Sequence, residues 1–223
     1  MNTGLPFKKM HGLGNDFVVI DARTRAVSFD DAQAKRIADR HTGVGCDQFI
    51  VLEPPQSAAA DVFMRIRNHD GGEVGACGNA TRCIADQLMV ERGTDKTVIE
   101  TLAGDLHAWR AANGNVTVDM GPVQTDWQAI PLARAMDTLH LDFSMNGLSD
   151  PAAVNVGNPH VNFFIDDIDA IALEAFGPKI ETDPLFPERI NVQIVQLIGP
   201  DKIRVRVWER GAGLTRACGT AAC

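Results

Sequence analysis

A chain of 223 residues can hold one large or two modest domains, and its 45% hydrophobic and 22% charged content is that of an ordinary globular protein. A net charge of −8 argues against a nucleic-acid or anionic-membrane partner, because both need a concentrated basic face. No run approaches the roughly 18 apolar residues of a membrane span, and the N-terminus lacks an apolar signal core. The cysteines, Cys46, Cys77, Cys83, Cys218 and Cys223, are odd in number and lack tight zinc spacing, which points to reduced thiols in the cytoplasm rather than disulfides or a metal.

In chain order, residues 7–10 and 16–21 are expected as strands around the turn His11-Gly12-Leu13-Gly14-Asn15. Residues 30–41 have helical spacing, with Ala34, Ile37, Ala38 and His41 on one face and Ser28 or Asp30 as N-cap. Residues 48–53 form a short apolar strand, and 61–67 alternate with Val62, Met64 and Ile66 to one side. The glycine-rich turn at 69–72 leads to a helix predicted over 78–92 and ended by Gly93. Strands over 97–102, 106–111 and 116–120 form an antiparallel run, the last two joined by Asn113-Gly114-Asn115. Gly121-Pro122 marks a domain boundary, giving parts 1–121 and 122–223. The second part offers a strand at 161–165, a helix over 167–176 closed by Gly177-Pro178, and strands at 191–198 and 203–208. Strands mixed with helices indicate an α/β (α+β) protein.

The two parts repeat each other. Aligned on Cys77 and Cys218, an offset of 141, the pairs Arg65/Arg206, Ile66/Val207, Gly72/Gly213, Ala76/Ala217 and Gly78/Gly219 coincide. Gly14-Asn15 matches Gly157-Asn158 at an offset of 143. The expectation is two pseudo-symmetric halves, each a mixed β-sheet wrapped on a central helix and each presenting one thiol. Two full repeats outrun 223 residues, so the second half is expected to be truncated, without the helix that should follow Cys218.

Each of these cysteines follows a glycine-containing loop and precedes an apolar helical run. Lowering a thiol pKa from about 8.5 to about 7 takes roughly 2 kcal/mol, the upper end of what a helix N-terminus supplies. The same terminus suits a carboxylate. Two such thiols, one acting as thiolate base and one as thiol acid, would invert a carbon bearing a carboxylate. Cys46, Cys83 and Cys223 lack the duplicated frame and read as packing residues.

Met10-His11-Gly12-Leu13-Gly14-Asn15-Asp16-Phe17, Gly78-Asn79 after Cys77, Gly157-Asn158-Pro159-His160, Phe186-Pro187-Glu188-Arg189, and Glu209-Arg210-Gly211-Ala212-Gly213 before Cys218 occur in one order along the chain. With these motifs the sequence resembles the diaminopimelate epimerase family. The resemblance implies conversion of LL-diaminopimelate to the meso form in lysine and peptidoglycan biosynthesis, by a two-cysteine mechanism without pyridoxal phosphate or metal. It also implies a site between two halves and a homodimer. Carried over residue by residue, it implies Cys77 and Cys218 as the acid/base pair. Gly78, Asn79, Gly219 and Thr220 hold the reacting carboxylate, and Asn15, Gln48, Asn68, Asn158 and Asn191 bind substrate. Glu209 and Arg210 bind and orient the substrate, and His160 is an auxiliary residue. A proline racemase or hydroxyproline epimerase shares the two-cysteine design, and a redox thiol protein is the alternative from another class.

Overall fold

A computed structural model describes residues 4–223; the first three residues of the N-terminal segment, expected to stay on the mature chain, lie outside it. The chain divides into two compact units, Met1–Met120 and Gly121–Cys223.

The first unit opens with β1 (Lys8–Gly12) and β2 (Asn15–Asp21), an antiparallel hairpin closed by Leu13 and Gly14, both at positive φ (54° and 92°). Helix α1 (Asp31–Ala38) follows, fixed at its start by a reciprocal capping box between Asp30 and Gln33. It ends three residues short of the expected His41. The Asp39 carboxylate takes the backbone N–H groups of His41 and Thr42, turning the chain out of the helix.

Strand β3 (Gln48–Glu53) runs parallel to β2, and β4 (Val62–Asn68) returns antiparallel, extended by the short β5 (Glu73–Val74). Helix α2 (Gly78–Arg92) ends where Gly93 adopts the left-handed conformation and donates to Met89 and Val90. β6 (Lys96–Thr101), β7 (Gly104–Arg110) and β8 (Val116–Asp119) complete the sheet. One face carries Ile50, Leu52, Met64 and Ile66 against Ile84, Leu88 and Met89 of α2. The other packs Val18, Phe49 and Val51 against Ala34 and Ala38 of α1.

In the second unit a small hairpin, β9 (Ser144–Met145) and β10 (Leu148–Ser149), precedes the sheet. The sheet comprises β11 (Ala152–Asn155), β12 (Pro159–Phe164), β13 (Asn191–Gly199), β14 (Lys202–Glu209) and β15 (Gly213–Thr215). Its pairings are antiparallel, parallel, antiparallel and antiparallel, repeating β1 to β5 strand for strand. Register repeats as well. Phe17↔Gln48 corresponds to His160↔Asn191, Phe49↔Arg67 to Val192↔Trp208, and Ile66↔Val74 to Val207↔Thr215.

The crossover helix of this unit, α3 (Leu173–Glu181), lies later than the sequence suggests. Residues 168–170 form only a 3₁₀ turn capped by Asp167, and Gly177-Pro178 sits inside α3 rather than ending it. Gly177 is there because the Trp208 ring occupies the place of a side chain: a Cβ would meet Trp208 Cγ at 2.5 Å. Pro178 gives up one helical hydrogen bond, and the apolar face of Leu173 and Ile180, both fully buried, holds the helix on the sheet. After Cys218 the chain makes a single 3₁₀ turn, Thr220–Ala222, where Cys77 opens a helix of 15 residues. Among the described residues no helix is long and apolar enough to cross a membrane.

Candidate active site

In the first unit, four of the expected residues, Asn15, Cys77, Gly78 and Asn79, meet at the start of α2. Cys77 is the helix N-cap, and its sulfur accepts the backbone N–H of Ala80 at 3.5 Å. Asn15, at the start of β2, places Oδ1 3.8 Å from Cys77 Sγ and accepts from Asn79 Nδ2 at 3.3 Å. Gly12 allows this approach, because a Cβ there would lie 3.1 Å from the Asn79 carbonyl oxygen. Gly78 and Asn79 form the first turn of α2, both buried, and that turn holds no acidic residue of its own to offset the positive end of the helix.

Gln48 and Asn68 form a separate pair across β3 and β4, with Gln48 Nε2 donating to Asn68 Oδ1 at 3.1 Å. Gln48 Oε1 is buried without a hydrogen-bond partner among the described residues, an acceptor suited to a cationic donor.

Behind this cluster stand residues that sequence reading passed over. Asp47 accepts from Asn15 Nδ2 at 3.2 Å and from the Asp16 backbone N–H at 3.0 Å, so the oxygen of the Asn15 amide is the atom turned toward Cys77. Arg40 bridges Asp16 and Asp47. Burial raises the Asp16 pKa, but Arg40 and Lys9 outweigh it and hold this carboxyl well below the usual range. The adjacency of Asp47 to Gln48 was the only hint.

In the second unit His160 is buried between two amides. Gln193 Nε2 donates to Nδ1 at 2.5 Å, so Nε2 carries the proton and donates to Asn158 Oδ1 at 2.7 Å. Burial, with Arg210 second, pulls this imidazole down to about 3. The neutral ring is thus held between the two amides and fixes the orientation of Asn158. Gln193 lies on the same strand face as Asn191, two residues on, and that alternation was the available signal.

Asn191 donates to the Pro159 carbonyl at 2.8 Å and accepts the Arg210 backbone N–H at 2.9 Å, tying the end of β14 to β13. Arg210 donates to the Glu188 carbonyl at 3.0 Å; burial lowers its pKa, opposed by Glu188 and Glu181. Glu209 accepts a short hydrogen bond from Thr215. Cys218 Sγ lies 3.2 Å from Thr220 Oγ1. Burial and then the Glu209 carboxylate push the Cys218 thiol up to about 12, despite hydrogen bonds from Thr220 and from the backbone of Ala221 and Thr220. Gly219 and Thr220 thus sit at one tight turn, and burial and Glu209 outweigh its donors at the Cys218 thiol. Burial also raises the Cys46 and Cys83 thiols, in keeping with packing roles. Among the described residues, no three His, Cys, Asp or Glu side chains are grouped to hold a metal ion.

The fold is shared with solved amino-acid epimerases and racemases. The chain matches a hydroxyproline epimerase from Agrobacterium vitis with TM-score 0.64 and 16% identity, over 97% of this chain and 73% of that one. It matches a probable proline racemase from Agrobacterium radiobacter with TM-score 0.68 and 16% identity, over 98% and 74%. At such identity the likeness defines the architecture alone: a protein of the two-repeat epimerase and racemase fold.

The sequence narrows the class. The diaminopimelate epimerase family matches residues 7–125 and 152–223. Proteins named diaminopimelate epimerase from Rhizorhabdus wittichii and Rhodospirillum centenum are 58% and 54% identical, each over 97% of this chain and over 77% and 75% of their own length. The chain belongs to the diaminopimelate epimerase family.

Proposed function

We propose that the protein epimerises LL-diaminopimelate to meso-diaminopimelate through a thiolate/thiol pair, Cys77 and Cys218, without pyridoxal phosphate or metal. The observation that carries this reading is the strand-for-strand repeat, which ends each time in a cysteine flanked by buried polar side chains. Inversion at a carbon requires a base for one face and an acid for the other. Cys77, with an N–H donor on its sulfur and a helix behind it, is the base; Cys218, its thiol pushed up to about 12, is the acid.

The Cys77 thiolate takes the α-proton and becomes a thiol. The electron pair left on carbon is stabilised as charge spreads into the carboxylate, for which the start of α2 at Gly78 and Asn79 and the turn at Gly219 and Thr220 supply the positive field. Cys218 then gives its proton to the other face and is left as thiolate; the reverse reaction exchanges the two roles. Substrate with a second amino-acid end gives work to the remaining polar groups. Arg210 takes the distal carboxylate, and Gln48 Oε1 is an acceptor for an ammonium. Asn15, Asn68, Asn158 and Asn191 complete the set, Glu209 orients the reacting end, and His160 holds Asn158. The same reading assigns the protein to the cytoplasm and to a homodimer, on the family resemblance.

The test is α-hydrogen exchange in deuterated water, followed by NMR, with the full chain kept reduced and LL-diaminopimelate or proline supplied in parallel. Exchange into diaminopimelate is expected; exchange into proline alone would move the assignment to a proline racemase. Cys77→Ala and Cys218→Ala should each lose epimerisation by about 10²-fold or more. Full activity in either variant would refute the paired-thiol chemistry.

A further inference from the structure

One buried charge in the second unit is not used by this chemistry. Glu181, the last residue of α3, is only 6% exposed. A carboxylate at a helix C-terminus faces the negative end of the helix dipole, an unfavourable place unless other donors hold it. Here Oε2 accepts the Trp208 indole N–H at 2.7 Å and Oε1 accepts the Gly211 backbone N–H at 3.0 Å. Arg189 Nη1 stands 3.6 Å from Oε1. The two bonded donors bracket Glu209 and Arg210 in sequence. Trp208 is itself fixed, its ring lying flush on Gly177 of the same helix. Gly211 is at positive φ (72°), so the turn reverses the chain at the point the carboxylate grips.

We infer that Glu181 is a positioning residue, a strap from α3 that sets the Glu209-Arg210 turn in its substrate-binding form. This rests on the function proposed above. The first unit solves the same problem with opposite charge: Arg67, the counterpart of Trp208, bridges Asp31 of α1 and the Gly71 carbonyl. Each half thus ties its crossover helix to the turn that precedes its cysteine. Ala38, which ends α1 and falls opposite Glu181 at the offset of 143, carries no charge, and the neighbouring Asp39 is spent on its own loop.

Glu181→Gln tests the strap, because an amide offers one oxygen where two donors wait, and its NH2 then opposes an N–H. In the full chain the variant should fold and lose about tenfold in kcat/KM for diaminopimelate, chiefly as a higher KM. Trp208→Phe keeps an aromatic ring on Gly177 and deletes one donor; a rise of about threefold in KM is expected. An unchanged KM in a folded variant, whichever of the two folds, would overturn the inference, since a merely structural role would lower Tm and leave KM alone. Hydrogen exchange at the Gly211 amide reads the strap without activity: protection in the wild type, lost in Glu181→Gln, is expected even if the wild type fails to turn over diaminopimelate. A Gly211 amide that is unprotected in the wild type would refute the strap, whereas absent turnover with a protected amide would refute only the reaction.

Discussion

Gly177→Ala should destabilise the protein although it replaces glycine by the best helix former inside α3. Propensity alone would add about 1 kcal/mol of stability. The new methyl group, however, would lie 2.5 Å from Trp208 Cγ, 2.6 Å from Cδ2 and 2.8 Å from Cβ. Ordinary contact requires a retreat of about 1 Å, since carbon atoms sit at roughly 3.5–4.0 Å when packed well. The ring cannot retreat at no cost, because its N–H is bonded to Glu181 at 2.7 Å and its edge packs in the core of the unit. Overpacking costs about 1–3 kcal/mol, and stretching a buried hydrogen bond to a carboxylate costs about 1.5–3 kcal/mol more. The net is a loss of about 1.5–5 kcal/mol, or a Tm lower by about 3–20 °C for a chain of this size. Thermal unfolding followed by circular dichroism measures it. A Tm at or above that of the wild type would refute the packing argument and restore the local reading of Gly177 as a mere helix terminator.

Two further outcomes follow from the second-unit electrostatics. The His160 imidazole titrates at about 3 in the fold against the ordinary 6.5, so below about 6.5 the unfolded chain binds a proton that the fold excludes. Stability present above that pH is therefore lost as pH falls toward 3, by on the order of 1 kcal/mol per unit. Urea midpoints between pH 7 and pH 5 should fall more steeply in the wild type than in His160→Gln, and parallel slopes would contradict the buried neutral ring. A thiol at about 12 is ionised to about one part in ten thousand at pH 8. Iodoacetamide at that pH, with peptides resolved by mass spectrometry, should label Cys77 well before Cys218; equal rates would remove the assignment of Cys218 as the resting acid.

The longer strands were legible in the sequence because alternation such as Val62, Met64 and Ile66 reports a buried face directly. The matched cysteine frames were legible because a repeated pattern needs no knowledge of contacts. Gly177 and Glu181 were not. Each reads locally as a breaker or a solvated charge, and each takes its meaning from Trp208, about thirty positions on in the chain.

The repeat also conceals the feature that most divides the two thiols. Asn68 in the first frame falls where the second has Glu209, a neutral amide against a carboxylate. Matched sequence frames therefore suggest matched thiols, while one substitution at the strand end places a negative charge beside Cys218 and helps keep its proton on. Cys77 meets instead the first turn of a 15-residue helix and an amide whose orientation Asp47 fixes. A raised thiol at Cys218 is the form that the acid of the proposed reaction requires. Duplication supplies two thiols; the departure from duplication at position 209 adds a carboxylate that, after burial, raises the second of them.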